Sequence, residues 1–173
     1  SVDVAVQHLP SAGIRHIEIN VRPEAELKKV AEICRAADVQ PTTLSGSVAC
    51  DDPVSLQAVR DACRTAQTIG VRLFFLSAHG ADRTAAMVRL RELGRVAADY
   101  GVTLCLETHP PFCLNAAEML KTMAEVNHPN VRINFDTANI YYYNQDLDSS
   151  DELEQVVHHV SSVHLKDTDG GFK

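Results

Sequence analysis

Three short segments of this chain each place a metal-binding side chain directly after an apolar run. Glu107 ends the segment LCLE, Asp136 ends INFD and His164 ends SVH. Carboxylate oxygens combined with an imidazole nitrogen form a ligand set suited to Mn²⁺, Mg²⁺, Co²⁺ or Zn²⁺. Such an ion could hold two substrate oxygens and polarise a carbonyl while a carboxylate moves a proton between neighbouring carbons. The segments therefore predict a divalent-metal site with acid–base chemistry.

Each of these residues has a simpler interpretation when it is taken alone. An acidic residue at a strand end is often the N-cap of the next helix. A lone histidine there is more often a hydrogen-bonded structural residue than a ligand. Three such residues in succession, each after a strongly apolar run, favour one shared site. A structural zinc site is not expected, because the set contains no thiolate.

Three further polar side chains are predicted to contact substrate at the same place. His109 lies two residues beyond Glu107 and Lys166 two residues beyond His164, and side chains two apart on a strand share a face. Lys166 could meet an anionic or enediolate oxygen. His79 ends the run FFLSAH and is expected to face the same region.

The elements that must position these residues alternate along the chain. Short runs rich in apolar and β-branched residues predict strands at 14–20, 39–44, 71–77, 102–107, 131–136 and 162–167. Between them lie segments with helical spacing of apolar residues. Gly13, Gly70 and Gly101 are predicted to end helices in the left-handed conformation, whereas Asp52 and Asn115 are expected at helix starts. The strands recur at steps of roughly 30 residues, the length of a parallel βαβ unit.

Six such units could form an open doubly wound sheet or part of a (β/α)₈ barrel. Polar residues follow the C-terminal ends of the runs, and in a barrel those ends converge on one mouth. These residues are Glu18, Asn20, His79, Glu107, His109, Asp136, Asn139, His164, Lys166 and Asp167. No GxGxxG occurs after the first run, as a Rossmann-type site would require. The barrel is therefore the predicted fold, with Glu18 as a polar wall residue whose role the sequence leaves open.

Composition limits the classes of partner. The 173 residues include 16 Lys and Arg against 23 Asp and Glu, for a formal charge of −7, which argues against nucleic-acid binding. No apolar run approaches the ~18 residues that a membrane span needs. The five cysteines lack metal-binding spacing and are expected to be reduced and mostly buried. We expect a cytoplasmic protein, unless an export signal precedes residue 1.

Four motifs together resemble the sugar phosphate isomerase/epimerase family, with its xylose isomerase-like TIM barrel. They are AGIRHIEIN, GVTLCLETHP, VRINFDTANIYYYNQD and VSSVHLKDTDGG, and the resemblance runs along nearly the whole chain. It implies that Glu107, Asp136 and His164 hold a divalent metal together with a second Glu at the end of an eighth strand. It also implies that Glu107 doubles as an acid/base.

The chain departs from the family pattern in two ways. Asn139 stands where many members have a substrate-contacting histidine, and its amide can bind substrate but cannot titrate near pH 7. The first and eighth strands are not visible, and the fourth ligand is expected beyond Lys173. The prediction is one domain over 1–173 that is incomplete at both ends, with about six βα units, the second to the seventh, because a barrel needs about 200 residues or more.

The leading functional prediction is a metal-dependent isomerase or epimerase of carbohydrate metabolism. It would act on a sugar, keto-sugar or sugar phosphate through an enediolate. The alternatives are a metal-dependent dehydratase of a keto-polyol and a non-catalytic sugar-binding remnant. An endonuclease of abasic DNA, which shares this barrel type, is disfavoured by the net charge. The expected partner is a small carbohydrate, with no nucleic acid and no membrane, and the fold is compatible with a homo-oligomer.

Overall fold

The computed structural model describes residues 2–169, which fold as six parallel strands alternating with helices. The strands are β1 (His16–Asn20), β2 (Gln40–Ala49), β3 (Leu73–His79), β4 (Thr103–Glu107), β5 (Val131–Asp136) and β6 (Val160–His164), and they lie side by side in chain order. The helices are α1 (Val2–His8), α2 (Glu24–Ala36), α3 (Ser55–Ile69), α4 (Arg83–Asp99), α5 (Ala116–Val126), α6 (Thr137–Tyr143) and α7 (Ser149–Val156). Short 3₁₀ turns occupy Pro10–Ala12 and Val157–His159.

The sheet curls, because Glu18 at one edge reaches His164 at the other edge, with 3.3 Å between Oε2 and Nε2. A curled sheet of parallel strands with helices on its outer face is a partial (β/α) barrel. The predicted barrel architecture with six βα units is therefore confirmed. Among the described helices none is long and apolar enough to cross a bilayer.

Most helix ends follow the sequence pattern, but β2 continues to Ala49, beyond the predicted end at residue 44. The three glycines predicted to end helices have positive φ angles of 77°, 83° and 66° at Gly13, Gly70 and Gly101, which is favourable only without a Cβ. Asn115 begins α5 as predicted, because its side chain accepts the Glu118 N–H. The prediction for Asp52 is wrong in detail, since its carboxylate accepts the backbone N–H of residue 54 and α3 begins one residue later.

The last strand is displaced from its predicted position. The sequence favours a strand over 162–167, but β6 spans Val160–His164. Beyond His164 the backbone no longer pairs with β5 and is held instead by the side chain of Thr137. Its hydroxyl accepts the Lys166 N–H and donates to the Lys166 carbonyl, both at 2.9 Å. The chain therefore turns towards the first residue of α6 immediately after His164.

The two faces of the curled sheet differ in polarity, as strand alternation requires. The outer face carries buried apolar side chains that pack against the helices, among them Phe74, Leu76, Leu104, Leu106, Ile133 and Phe135. The concave face is largely polar: Ser162 Oγ donates to Asn134 Oδ1, and Ser45 Oγ donates to Asn20 Oδ1, both at 2.7 Å. Folding energy thus comes from the outer layer, where each buried Leu or Phe contributes roughly 1.5–3 kcal/mol.

All five cysteines are free and buried, which confirms the sequence prediction. Burial raises the pKa of Cys63 and Cys113 to about 12 and that of Cys50 and Cys105 to about 11. A thiolate is the reactive form of cysteine, so these side chains serve as small apolar residues.

Candidate metal centre

Glu107, Asp136 and His164 meet at the C-terminal edge of the sheet. They are the last residues of β4, β5 and β6, and the β5–β6 register pairs Asp136 directly with His164. One ligand atom from each lies within 4.8 Å of the other two. His164 Nδ1 is 3.7 Å from Asp136 Oδ2 and 3.8 Å from Glu107 Oε2. The two distances from His164 Nδ1 are too long for direct hydrogen bonds. Both are shorter than twice a metal–ligand bond of about 2.1 Å, so one ion could contact the atoms at either end.

The two oxygens of Asp136 have different environments. Oδ1 caps α6 by accepting the N–H groups of Ala138 and Asn139, both at 3.1 Å. Oδ2 faces His164 Nδ1 at 3.7 Å and forms an ion pair with the Lys166 ammonium at 2.5 Å. The helix-cap and ligand interpretations are therefore compatible, because each uses one oxygen.

The two oxygens of the Glu107 carboxylate also have different environments. The amide nitrogen of Asn139 donates to Glu107 Oε1 at 3.0 Å and to the Thr108 carbonyl at 2.9 Å. Glu107 Oε2 is buried without a hydrogen-bond partner in the described part of the chain. Asn139 is itself 7% exposed and uses both amide hydrogens within the protein. It holds Glu107 in place, and only its oxygen is left for a substrate contact.

Thr108 supports this arrangement and was not singled out by the sequence. Its hydroxyl donates to the Asn134 carbonyl at 3.3 Å and accepts the Asp136 N–H at 2.9 Å. The side chain thereby ties the end of β4 to the end of β5, alongside the backbone bond from the Thr108 N–H to the Asn134 carbonyl at 3.1 Å. Its position directly after Glu107 in LETH was the only available signal.

Two basic side chains, His164 and Lys166, lie among the carboxylates of the cluster. Lys166 Nζ lies 2.5 Å from Asp136 Oδ2 and approaches from the solvent side, with its side chain 47% exposed. Burial pushes the pKa of Asp136 upward, but His164 and Lys166 outweigh this effect and hold it at about 2. Burial raises the pKa of Glu107 against the opposing influence of His164. The surrounding carboxylates, that of Asp136 foremost, raise the pKa of His164 to about 11.

These residues fit a divalent cation. A buried carboxylate oxygen without a hydrogen-bond partner is costly, and Glu107 Oε2 is such an oxygen in the described part of the chain. It faces the same imidazole nitrogen as Asp136 Oδ2. An ion between them would satisfy both oxygens and take the place of the proton on the imidazole, since ligation needs the nitrogen lone pair. The donor set of two carboxylates and one imidazole suits Mn²⁺, Mg²⁺, Co²⁺ or Zn²⁺ rather than a thiophilic metal.

The remaining predicted substrate residues lie around this cluster at different distances. His79 is exposed at the end of β3, and strand alternation places it on the same face as Phe75. The Phe75 ring packs on His164 with 4.8 Å between centroids. His79 therefore lies on the concave face, at the same edge as the three ligands.

For two others the strand-face argument is wrong, because both lie beyond their strands. His109 sits in the loop after β4, where its ring stands edge-on to Tyr143 at 5.1 Å and its Nδ1 contacts the Pro110 carbonyl. Lys166 follows β6 and reaches the cluster through the turn that Thr137 holds. Tyr141 packs the adjoining loop, with its hydroxyl accepting the Ser149 N–H.

Six parallel strands, outer helices and polar side chains gathered at the C-terminal edge define an α/β-barrel protein with a candidate metal centre. A family profile described as xylose isomerase-like TIM barrel matches residues 6–173, and the chain belongs to that family. This confirms the resemblance seen in the sequence. None of the curated proteins matches the chain.

Several solved structures share the fold. D-psicose 3-epimerase from Clostridium cellulolyticum H10 is 16% identical, with a TM-score of 0.73 over 94% of this chain and 66% of its own. The probable 3-DHS dehydratase AsbF from Bacillus anthracis is 18% identical, with a TM-score of 0.79 over 95% and 67%. An AP endonuclease, family 2, from Brucella melitensis is 17% identical, with a TM-score of 0.76 over 94% and 72%. The chain thus spans about two thirds of the length of these structures, and at such identities the similarity shows the fold alone.

Proposed function

We propose that this protein is a divalent-metal-dependent isomerase or epimerase acting on a sugar, keto-sugar or sugar phosphate. The observation that supports it is the meeting of Glu107, Asp136 and His164 at adjacent strand ends, with Glu107 Oε2 buried and without a hydrogen-bond partner among the described residues. The C-terminal edge of the strands is also where barrels of this type carry their chemistry.

The three side chains would hold the ion, Glu107 through Oε2, Asp136 through Oδ2 and His164 through Nδ1. When bound, the ion would fix two neighbouring substrate oxygens and polarise the carbonyl. Glu107 would take a proton from the carbon beside the carbonyl. A proton returned to the opposite face of that carbon would complete an epimerisation, whereas a proton delivered to the former carbonyl carbon would complete an isomerisation. Asn139 would keep the Glu107 carboxylate in one orientation during the transfer.

Three more side chains would contact the sugar from the rim of the site. Lys166 carries a cation suited to a developing oxyanion or to a phosphate group. His79 and His109 offer imidazole nitrogens to hydroxyl groups at the same edge. These contacts would select the substrate, because specificity in barrels depends on the residues and loops around a shared centre.

The first test is metal binding by chelator-stripped protein, measured by calorimetry with Mn²⁺ and Zn²⁺. We expect one site in the wild type and none in the triple variant Glu107→Gln, Asp136→Asn, His164→Ala. Glu154→Gln removes an exposed carboxylate elsewhere and serves as the charge-matched control. Metal binding retained in the triple variant would show that the assigned ligands are wrong.

The second test is proton transfer in D₂O with a panel of ketoses and ketose phosphates. Deuterium entering at the carbon beside the carbonyl, followed by NMR, would report abstraction, and we expect Glu107→Gln to abolish it. A product lighter by one water would assign a dehydratase instead. Sugar binding without deuterium uptake would contradict the isomerase proposal and favour a binding protein.

A further inference from the structure

We propose that Glu18 is a positioning residue of the metal centre, which fixes His164 so that its Nδ1, and not its Nε2, binds the ion. The inference rests on the metal-binding part of the proposed function. Glu18 lies on β1 and His164 on β6, the two edge strands of the described sheet, and Glu18 Oε2 is 3.3 Å from His164 Nε2. The contact is therefore made across the concave face.

The chemistry of the two groups determines where the hydrogen lies. A carboxylate oxygen only accepts hydrogen bonds, so the facing Nε2 must carry the hydrogen. The lone pair available for a metal is then on Nδ1. Nδ1 is the nitrogen that faces Asp136 Oδ2 at 3.7 Å and Glu107 Oε2 at 3.8 Å. The tautomer that Glu18 selects is thus the one that the other two ligands require.

Two contacts together restrict the imidazole ring. Phe75 packs against His164 with 4.8 Å between ring centroids and 46° between planes, which limits tilting of the ring. Glu18 limits rotation about the Cβ–Cγ bond by holding Nε2. A flipped ring would place the carbon Cδ2 where Nδ1 faces the two ligand carboxylates and would leave Glu18 without its partner.

Glu18 is not itself a member of the candidate ligand group, which in the described residues contains Glu107, Asp136 and His164. It lies on the side of the imidazole away from the two ligand carboxylates, as its contact with Nε2 shows. A carboxylate that accepts the second N–H of a ligating histidine raises the basicity of the ring and orients it, and removing such a partner typically weakens metal affinity by about 10- to 100-fold.

The first experiment compares Zn²⁺ affinity by competition with a chromogenic chelator in wild type, Glu18→Ala, Glu18→Gln and Asn20→Ala. Glu18→Ala should weaken binding by about 10- to 100-fold. Glu18→Gln should restore most of the affinity, because its amide oxygen still accepts from Nε2. Asn20→Ala, two residues away on the same strand and bonded to Ser45, should leave affinity unchanged. Equal affinity in wild type and Glu18→Ala would overturn the inference.

The second experiment needs no variant. Long-range ¹H–¹⁵N NMR of the Zn²⁺-loaded wild type should show His164 with a protonated Nε2 and a metal-shifted Nδ1. A metal-shifted Nε2 would overturn the inference even if the protein binds zinc tightly. Failure of the wild type to bind Zn²⁺ or Mn²⁺ at all would instead overturn the proposed function, and the inference with it.

Discussion

Replacing Asp136 by asparagine should separate the two roles of this side chain. Asparagine keeps an oxygen in the position that caps α6, so the N–H groups of Ala138 and Asn139 retain their acceptor. The negative charge that faces His164 and Lys166 is lost. Asp136→Ala removes both the cap and the charge. The pair of variants therefore measures each contribution against the same background.

The size of the charge effect follows from the pKa of Asp136, which its cationic neighbours hold at about 2 against an ordinary value of 3.8. One pKa unit corresponds to 1.36 kcal/mol, so the ionised form stabilises the fold by roughly 2 kcal/mol. Asp136→Asn should lower the free energy of unfolding by that amount and the Tm by roughly 4–8 °C. Asp136→Ala should cost about 1 kcal/mol more, the typical value of an N-cap.

The measurement is urea unfolding at pH 7 in EDTA, which keeps metal binding out of the comparison. Because the pKa is lowered in the folded state, this stabilisation is complete above about pH 5 and fades as the pH falls from about 4 towards 2. The difference between wild type and Asp136→Asn should shrink over the same range. An Asp136→Asn variant as stable as wild type at pH 7 would refute the reasoning, since His164 and Lys166 would then contribute nothing through this carboxylate.

Three further predictions concern packing and positioning. Gly94→Ala should destabilise the protein in urea unfolding, because the new Cβ would lie 2.7 Å from His128 Nδ1; overpacking costs about 1–3 kcal/mol and outweighs the ~1 kcal/mol that alanine gains in a helix. Glu152→Ala should cost about 1–3 kcal/mol in the same assay, because this buried carboxylate accepts the first backbone N–H of α5. Asn139→Ala should weaken Zn²⁺ affinity by about 10-fold or more in chelator competition, because Glu107 loses the amide that orients it.

A different measurement would contradict each of these three predictions. A Gly94→Ala penalty that is unchanged in a His128→Ala background would show that the close approach to His128 is not its cause. Glu152→Gln retains an acceptor, so a loss equal to that of Glu152→Ala would argue against the capping bond. Zn²⁺ affinity unaffected by Asn139→Ala would mean that Glu107 is held by other contacts.

Local patterns were sufficient to find the three candidate ligands. Glu107, Asp136 and His164 each end a strongly apolar strand, and parallel strands bring their C-terminal ends together. The regular spacing of the runs predicted parallel βα units, and the polar residues at their C-terminal ends favoured a barrel over an open sheet. Both patterns depend on residues that are close together in the sequence, so a single sequence is enough to recognise them.

Contacts between distant segments could not be read in this way. The partner of Glu18 is 146 residues away, and no local pattern indicates which side chain it meets. The end of β6 was misplaced because the hydroxyl of Thr137, on a different element, competes with the strand ladder at Lys166. In both cases one side chain from a distant element determined the outcome.

The outer face of the sheet stabilises the fold through apolar packing, whereas the concave face is polar. This difference decides which positions can be changed to alter specificity. Ser45, Asn20 and Ser162 lie on the concave face and bond mainly to one another and to Asn134, whereas the apolar layer beneath the helices supplies the cohesion. A substitution of Ser45, Asn20 or Ser162 therefore removes one side-chain hydrogen bond and leaves the apolar layer intact. These three positions are the ones to vary in directed evolution when the folded state is to be preserved.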